Sequence, residues 1–302
     1  MKTTILVLLA ALTLPAAIVP EVRILLNKQE FAAAEKLIET TRAGGAWTPE
    51  LIEAQSWLGR GALAAKQFDK ALAYSAVTRK LSLEALKTRK LDAEPRLPTG
   101  FGASIEVEGQ SLAAKGQLSE AIAFLNKELK TYYKTSIRTR IQKNINLLSL
   151  VGKRAPALEI KESVGDLPVQ SLASLKGKPV LLFFWAHWCV DCKAQGPILA
   201  SLAAKYGPKG LTIVGPTQRY GYVAGGEDAP PAEEKTYIAK VYRDTYSNIP
   251  NMTAPLSEEN FRLYGSSTSP TLVLIDKTGI VRLYNPGKLS AEDLAAKIEP
   301  LL

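Results

Sequence analysis

The sequence predicts two structural classes in one chain: an all-α helical-repeat region over residues 21–150 and an α/β domain over 151–302, preceded by a leader-like segment, 1–20. Three observations carry this reading. From Glu21 to about Leu150, Ala, Leu, Lys and Glu recur at helical spacing. Beyond residue 151, apolar runs of strand length alternate with helical stretches. The only two cysteines, Cys189 and Cys192, stand where one such run gives way to a helical stretch.

At 302 residues each half is long enough to bury a core of its own. A hydrophobic content of 46% and a charged content of 22% are those of globular protein. The net charge is +9, but the Lys and Arg residues are scattered over helical faces without a nucleic-acid motif, so no nucleic-acid partner is expected.

The chain opens Met1-Lys2 and then runs apolar from Ile5 to Val19 around Pro15. A membrane span needs about 20 apolar residues, so this run suits a signal peptide better. Export to a periplasmic or other extracytoplasmic compartment is therefore expected. Ala16 and Ala17 are small, yet no A-x-A cleavage pattern precedes them, which leaves retention as an anchor as the alternative. Membrane contact is expected only through an uncleaved leader.

The helical region repeats itself. Leu58-Gly59, Phe68 and Ala71 have the same mutual offsets as Glu108-Gly109, Leu118 and Ala121, and Phe31 with Ala34 gives a weaker copy. Small residues let helices approach closely while the larger one fills the seam, with Trp57 and Leu63 as core. The pattern resembles tetratricopeptide-type hairpins, about three of them. Pro95, Pro98, Gly100 and Gly102 predict a long loop. Lys127 to Lys143, with Tyr132 and Tyr133, predicts a basic helix. Two roles fit the region: holding a protein partner on a concave face, or padding the C-terminal domain and limiting access to it.

In the C-terminal half, strands are expected near Ala157–Ile160, Pro179–Phe184, Leu211–Gly215, Thr271–Ile275 and Ile280–Tyr284, the last two joined across Asp276-Lys277-Thr278-Gly279. Helices are expected from Val190 to about Tyr206, Ala232 to Tyr246, Ser257 to Tyr264, and from Ser290, where Asp293 completes a near capping box, to Leu302. Between Gly215 and Ser266 lies a Gly/Pro-rich insertion in which Arg219, Tyr220 and Tyr222 follow a strand end. They either line a groove beside Cys189 or belong to a plain surface loop.

A C-x-x-C pair delivered to the first turn of a helix is the layout of a redox dithiol. Unpaired backbone N–H groups and the helix dipole favour a thiolate at Cys189, which the spacing places at the exposed end, with Cys192 a turn deeper as the protonated, resolving thiol. Asp191 opposes the thiolate and Lys193 partly offsets it. His187 is expected to point to solvent, Trp188 to pack beside the thiols and Trp185 to lie in the core. A structural zinc site would need further Cys or His ligands, and His187 is the only histidine. No G-x-G-x-x-G fingerprint follows a strand, so no cofactor is expected.

The motif Trp185-Ala186-His187-Trp188-Cys189-Val190-Asp191-Cys192-Lys193, with Pro197 five residues on, resembles thioredoxin. The lead-in Arg154-Ala155-Pro156-Ala157-Leu158, Leu172 and Leu175-Lys176-Gly177-Lys178-Pro179 is similar to exported thioredoxin-like reductases of the TlpA/ResA type. The resemblance implies an α/β thioredoxin-like fold over 151–302. It also implies a cis-proline facing the dithiol, Pro270, preceded by Ser269 as a backbone partner for an extended substrate. Two positions depart from the pattern. Phe183 stands where thioredoxin carries a buried acid, and Asp191 stands where a proline usually precedes the second cysteine.

The reading that follows is a thiol–disulfide oxidoreductase outside the cytoplasm. Its partners would be a disulfide-bearing protein substrate and a separate thiol electron donor. A helical scaffold with an incidental or regulatory dithiol is the alternative from another class. A peroxidase is a third reading, because Ala155-Pro156 and Gly177-Lys178-Pro179 also resemble peroxiredoxins. There, however, the proline and threonine or serine before the peroxidatic cysteine are replaced by Leu182 and Ala186.

Overall fold

The computed structural model describes residues 17–165 and 167–302. The chain forms two compact units, Met1–Ser111 and Leu112–Leu302. Most of the predicted leader falls outside the described residues; its end, Ile18 and Val19, is buried in the first helix.

The first unit is helical: α1 (Ile18–Asn27), α2 (Phe31–Arg42), α3 (Pro49–Ala64), α4 (Phe68–Ala85) and α5 (Arg96–Ala114), the last crossing the boundary. Its core joins Val22, Phe31, Ile38, Leu58 and Val107 through Ala34, Ala54, Ala62 and Ala71. The small residues set the spacing. A Cβ on Gly59 would lie 3.5–3.7 Å from Val107, Tyr74 and Ala71. The repeats read in the sequence coincide with a recurring turn. Phe31, Phe68 and Leu118 each open a helix, and each follows two residues after a left-handed residue: Gln29, Lys66 and Gly116. In all three the next N–H reaches back five residues (Glu30 to Leu25 O, Gln67 to Ala62 O, Gln117 to Leu112 O), the bond that closes a Schellman turn.

The expected loop over Pro95–Gly102 is instead the first turns of α5. Glu94 caps this helix, its carboxylate accepting from Arg96 N (2.9 Å) and Leu97 N (2.7 Å). Pro98 sits in the first turn, where a missing N–H removes no helical bond. Gly100 is a contact residue: a Cβ there would come within 3.2 Å of the Ile52–Glu53 backbone. The punctuation of a loop here serves helix packing.

The second unit begins with α6 (Leu118–Thr131) and α7 (Arg138–Ser149), so the expected basic helix over 127–143 is two helices broken at 132–137. The secondary-structure class changes near residue 150, but α7 is packed into the C-terminal body. Gly265 sits against its backbone, where a Cβ would lie 2.2 Å from Lys143 N, and Asn146 Nδ2 donates to Leu263 O at 3.2 Å.

The body is an α/β layer of β1 (Ser163–Val164), β2 (Val180–Phe184), α8 (Val190–Tyr206), β3 (Thr212–Val214), α9 (Pro231–Tyr246), β4 (Ala254–Pro255), α10 (Glu258–Tyr264), β5 (Thr271–Ile275), β6 (Val281–Pro286) and α11 (Ala291–Ile298). The main sheet runs β3-β2-β5-β6, with β2 parallel to β3 and antiparallel to β5. Side chains alternate along its strands. Leu181, Phe183, Leu272 and Leu274 face a core with α8, α9 and α11, while Val180, Leu182, Phe184, Val273 and Ile275 face a second with α10. Burial on both faces explains why β2 and β5 are unbroken apolar runs. This is the thioredoxin-like fold expected from the resemblance.

No strand forms at Ala157–Ile160. A side chain of α10 takes the backbone groups of Glu159: Asn260 accepts from Glu159 N (2.7 Å) and donates to Glu159 O (2.9 Å), while Tyr264 donates to Pro156 O (2.6 Å) just before the run. The strand pairing moves on to Ser163 and Val164, against β4.

Candidate active site

The C-x-x-C segment is built where β2 ends. Trp185 N donates to Pro216 O (3.1 Å), Trp185 Nε1 to Gly215 O (2.9 Å) and Thr217 Oγ1 to Trp185 O (3.0 Å), so three bonds lock the turn to the end of β3. The indole is fully buried, as expected, against Tyr246 of α9 with ring centroids 4.8 Å apart. The chain then turns into α8, and Cys189 is the N-cap. Its sulfur accepts the Cys192 N–H at 3.0 Å. Cys189 and Cys192 are joined as a disulfide with Cα atoms 5.2 Å apart. After reduction, the same N–H and the helix N-terminus would face a thiolate at Cys189.

Cys189 is not at an exposed end. Only 3% of it is accessible, because the cap conformation turns its sulfur back over the first turn toward the fully buried Cys192. Solvent meets its neighbours instead, Trp188 at 47% and Val190 at 77% exposure. Trp188 packs edge-on against Tyr220, at 5.5 Å between centroids.

The Ser269–Pro270 peptide is cis. Its place follows from register. Thr271 pairs with Phe184, so Pro270 lies at the same edge of the sheet as the turn that carries Cys189. Burial holds the Tyr220 phenol above its ordinary range, against the opposing effect of the Gln218 and Ser269 side chains beside it. Tyr220 thus joins the insertion, Trp188 and the cis-proline loop.

Asp191 pairs with Lys288, at 2.8 Å, from the loop after β6. The same loop is held to α8 by Gln195, which donates to Leu289 O and accepts from Leu289 N, both at 3.1 Å. His187 does not point to solvent. It is 1% exposed, with its Nε2 3.4 Å from Oε1 of Glu234, which is also 1% exposed. Tyr220, Tyr222 and Tyr237 present ring edges to it at 5.2–5.5 Å. The cause is the insertion, whose loop and α9 fold over this part of the motif. Burial lowers the His187 pKa from its ordinary value and nearby Lys193 adds to this, both outweighing the opposing carboxylate of Glu234.

Glu234 is the residue that sequence reasoning missed. Its carboxylate also accepts Tyr220 N at 2.5 Å and Gly221 N at 2.9 Å, fixing the loop above the motif. The only local sign is an acid in the first turn of a helix opened by Pro230-Pro231. Of the three loop residues singled out, Tyr220 and Tyr222 reach the motif, whereas Arg219 turns to Glu162 in a two-pronged pair at 2.6 and 2.9 Å. That pairing holds the Glu162 carboxyl down at about 2. Among the described residues no group of three His, Cys, Asp or Glu side chains is placed to hold a metal.

Residues 151–218 match the AhpC/TSA family. The thioredoxin-like protein YneN of Bacillus subtilis is 26% identical over 151 residues, 49% of this chain and 78% of that protein. The thiol:disulfide interchange protein DsbE of Xylella fastidiosa is 30% identical over 155 residues, 51% of this chain and 70% of that protein. Among solved structures, a thioredoxin-family thiol:disulfide interchange protein from Chlorobium tepidum covers 50% of this chain and 96% of its own at 21% identity, with a TM-score of 0.39. The DsbE relative, 30% identical and covered over 70% of its length, shows that the chain, with its disulfide-forming C-x-x-C at a helix N-cap, belongs to the DsbE-type thioredoxin-like thiol–disulfide oxidoreductases.

Proposed function

We propose that this oxidoreductase reduces disulfides in protein substrates outside the cytoplasm. The observation that supports the direction of attack is the Cys192 N–H aimed at Cys189 Sγ from 3.0 Å at the start of α8. In the reduced protein, Cys189 thiolate attacks a substrate sulfur. A Cys189–substrate bond forms, the substrate disulfide breaks, and the released thiolate takes a proton from water. Cys192, losing its own proton, then attacks Cys189 Sγ and releases the second substrate sulfur as a thiol. The protein is left oxidised, as it stands in this structure, and a separate thiol donor must renew it. Ser269 and Pro270 offer the edge along which an extended substrate backbone would lie, Trp188 covers the approach, and Asp191 with Lys288 and Lys193 sets the local charge. The leader-like N-terminus and the relationship to DsbE-type proteins support an extracytoplasmic site of action. Among the described residues no helix is long and apolar enough to cross a membrane. We propose further that the helical hairpins of the first unit hold a protein partner.

Trapping tests the order of attack. Cys192→Ser is expected to accumulate mixed disulfides through Cys189, and Cys189→Ser to accumulate none. Equal trapping by both variants, or by neither, would sink the assignment. A redox titration tests the direction of electron flow. A potential of roughly −200 mV or lower supports a reductant, and one near −120 mV an oxidant. The AhpC/TSA match raises the peroxidase reading again, but Leu182 and Ala186 leave it without the family's peroxide-binding positions. Hydrogen peroxide turnover by the reduced protein would restore it.

A further inference from the structure

A cleft of about 880 Å³ opens beside the motif, within the C-terminal unit. One wall is the break between α6 and α7, with Tyr133, Lys134 and Arg138. The other is the insertion loop at Arg219 and Tyr220, above the start of α9. The first wall precedes residue 151, where the family match begins. The cleft reaches the chemistry through one side chain. Tyr220 lines it, packs on Trp188 next to Cys189 and approaches Ser269 of the cis-proline loop.

We infer that this cleft receives an extended, acidic segment of the substrate polypeptide flanking the target disulfide. The inference rests on the proposed reductase function. The volume lies toward the upper end of the roughly 300–1,000 Å³ that ligand clefts occupy. Its charge selects the occupant. Arg138, Arg219 and Arg262 are engaged by Glu259, Glu162 and Glu258, and the Glu234 carboxylate is turned inward onto two backbone N–H groups. Lys134, exposed on the wall, has no ion-pair partner among the described residues. The uncompensated charge facing an incoming chain is therefore positive. Tyr133, 51% exposed beneath the Arg138 guanidinium at 3.9 Å, adds a flat apolar surface at which a main chain can lie.

The test mixes the pre-reduced full chain with peptides of one length that carry a cysteine in disulfide linkage to a chromophoric thiol, flanked by Glu, Ser or Lys. At low salt the Glu-flanked peptide is expected to release the chromophore about fivefold faster than the Lys-flanked one, with the ratio shrinking as salt rises. Lys134→Glu is expected to bring the ratio below one by speeding the Lys-flanked peptide, a gain that misfolding does not produce. Tyr133→Ala is expected to slow both charged peptides. A wild-type ratio near one with brisk release overturns the cleft assignment and leaves the reductase standing, as does a ratio that Lys134→Glu does not move. No release from any peptide overturns both.

Discussion

Asp191 and His187 stand two residues either side of Cys189, and each faces a titratable partner, yet the two pairs are built in opposite ways. Asp191 and Lys288 meet at the surface, both about half exposed, and water and salt screen whatever they contribute. His187 and Glu234 are sealed under three tyrosines, and Glu234 also carries two backbone N–H groups of the loop above it. A surface pair can adjust the thiols without being needed for the fold. A buried one is part of the fold, and its polar groups are expensive to disturb.

The largest effect expected from this contrast is on Glu234. Glu234→Ala leaves the Tyr220 and Gly221 donors unpaired and should lower the unfolding free energy by about 3 kcal/mol, measured by denaturant titration of the oxidised chain. Glu234→Gln keeps one acceptor oxygen and should cost less than half of that. Equal losses would mean that charge, not acceptor geometry, holds the loop. The next effect concerns pH. Burial lowers the His187 pKa, so the unfolded state binds the proton more readily. Its contribution is fully present above the unfolded value of about 6.5 and is lost as pH falls toward the folded value, with a slope of at most about 1.4 kcal/mol per pH unit. Stability curves at pH 7.5, 6 and 5 for wild type and His187→Gln should diverge from that cause; parallel curves would remove the histidine from the account. The smallest effect belongs to the surface. Asp191→Asn removes a negative charge near the thiolate and should raise the reduction potential by about 10 mV, and Lys288→Ala should lower it by a similar amount. Stability should change by under about 0.5 kcal/mol in each. Shifts of the same sign would break the pairing.

The same contrast shows what the sequence made legible. The dithiol, α8, and strands β2, β3, β5 and β6 could be read because each is written locally, as an apolar run or as a motif at a helix start. The positions that misled are those whose surroundings come from far along the chain. His187 looks like a solvent residue until α9 and its loop cover it. The Ala157–Ile160 run has the composition of a strand, but Asn260 takes both backbone groups of Glu159 first. Pro98 and Gly100 spell a loop by local rules, and only the nearness of the Ile52–Glu53 backbone shows why a helix carries them. Asp191 finds its partner in Lys288, from the loop after β6, which local sequence does not show.

The seat of Gly265 against α7 bears on how such a protein is cut and recombined. At φ +59, with the Lys143 backbone where its side chain would be, this position admits neither a larger residue nor the loss of its neighbour without repacking. Arg138 to Glu259 and Asn146 to Leu263 fasten the same helix. A redox module excised at residue 151, where the family match starts, would therefore leave α10 with a bare flank. The transferable piece, in the laboratory or in gene fusion, carries its last upstream helix with it.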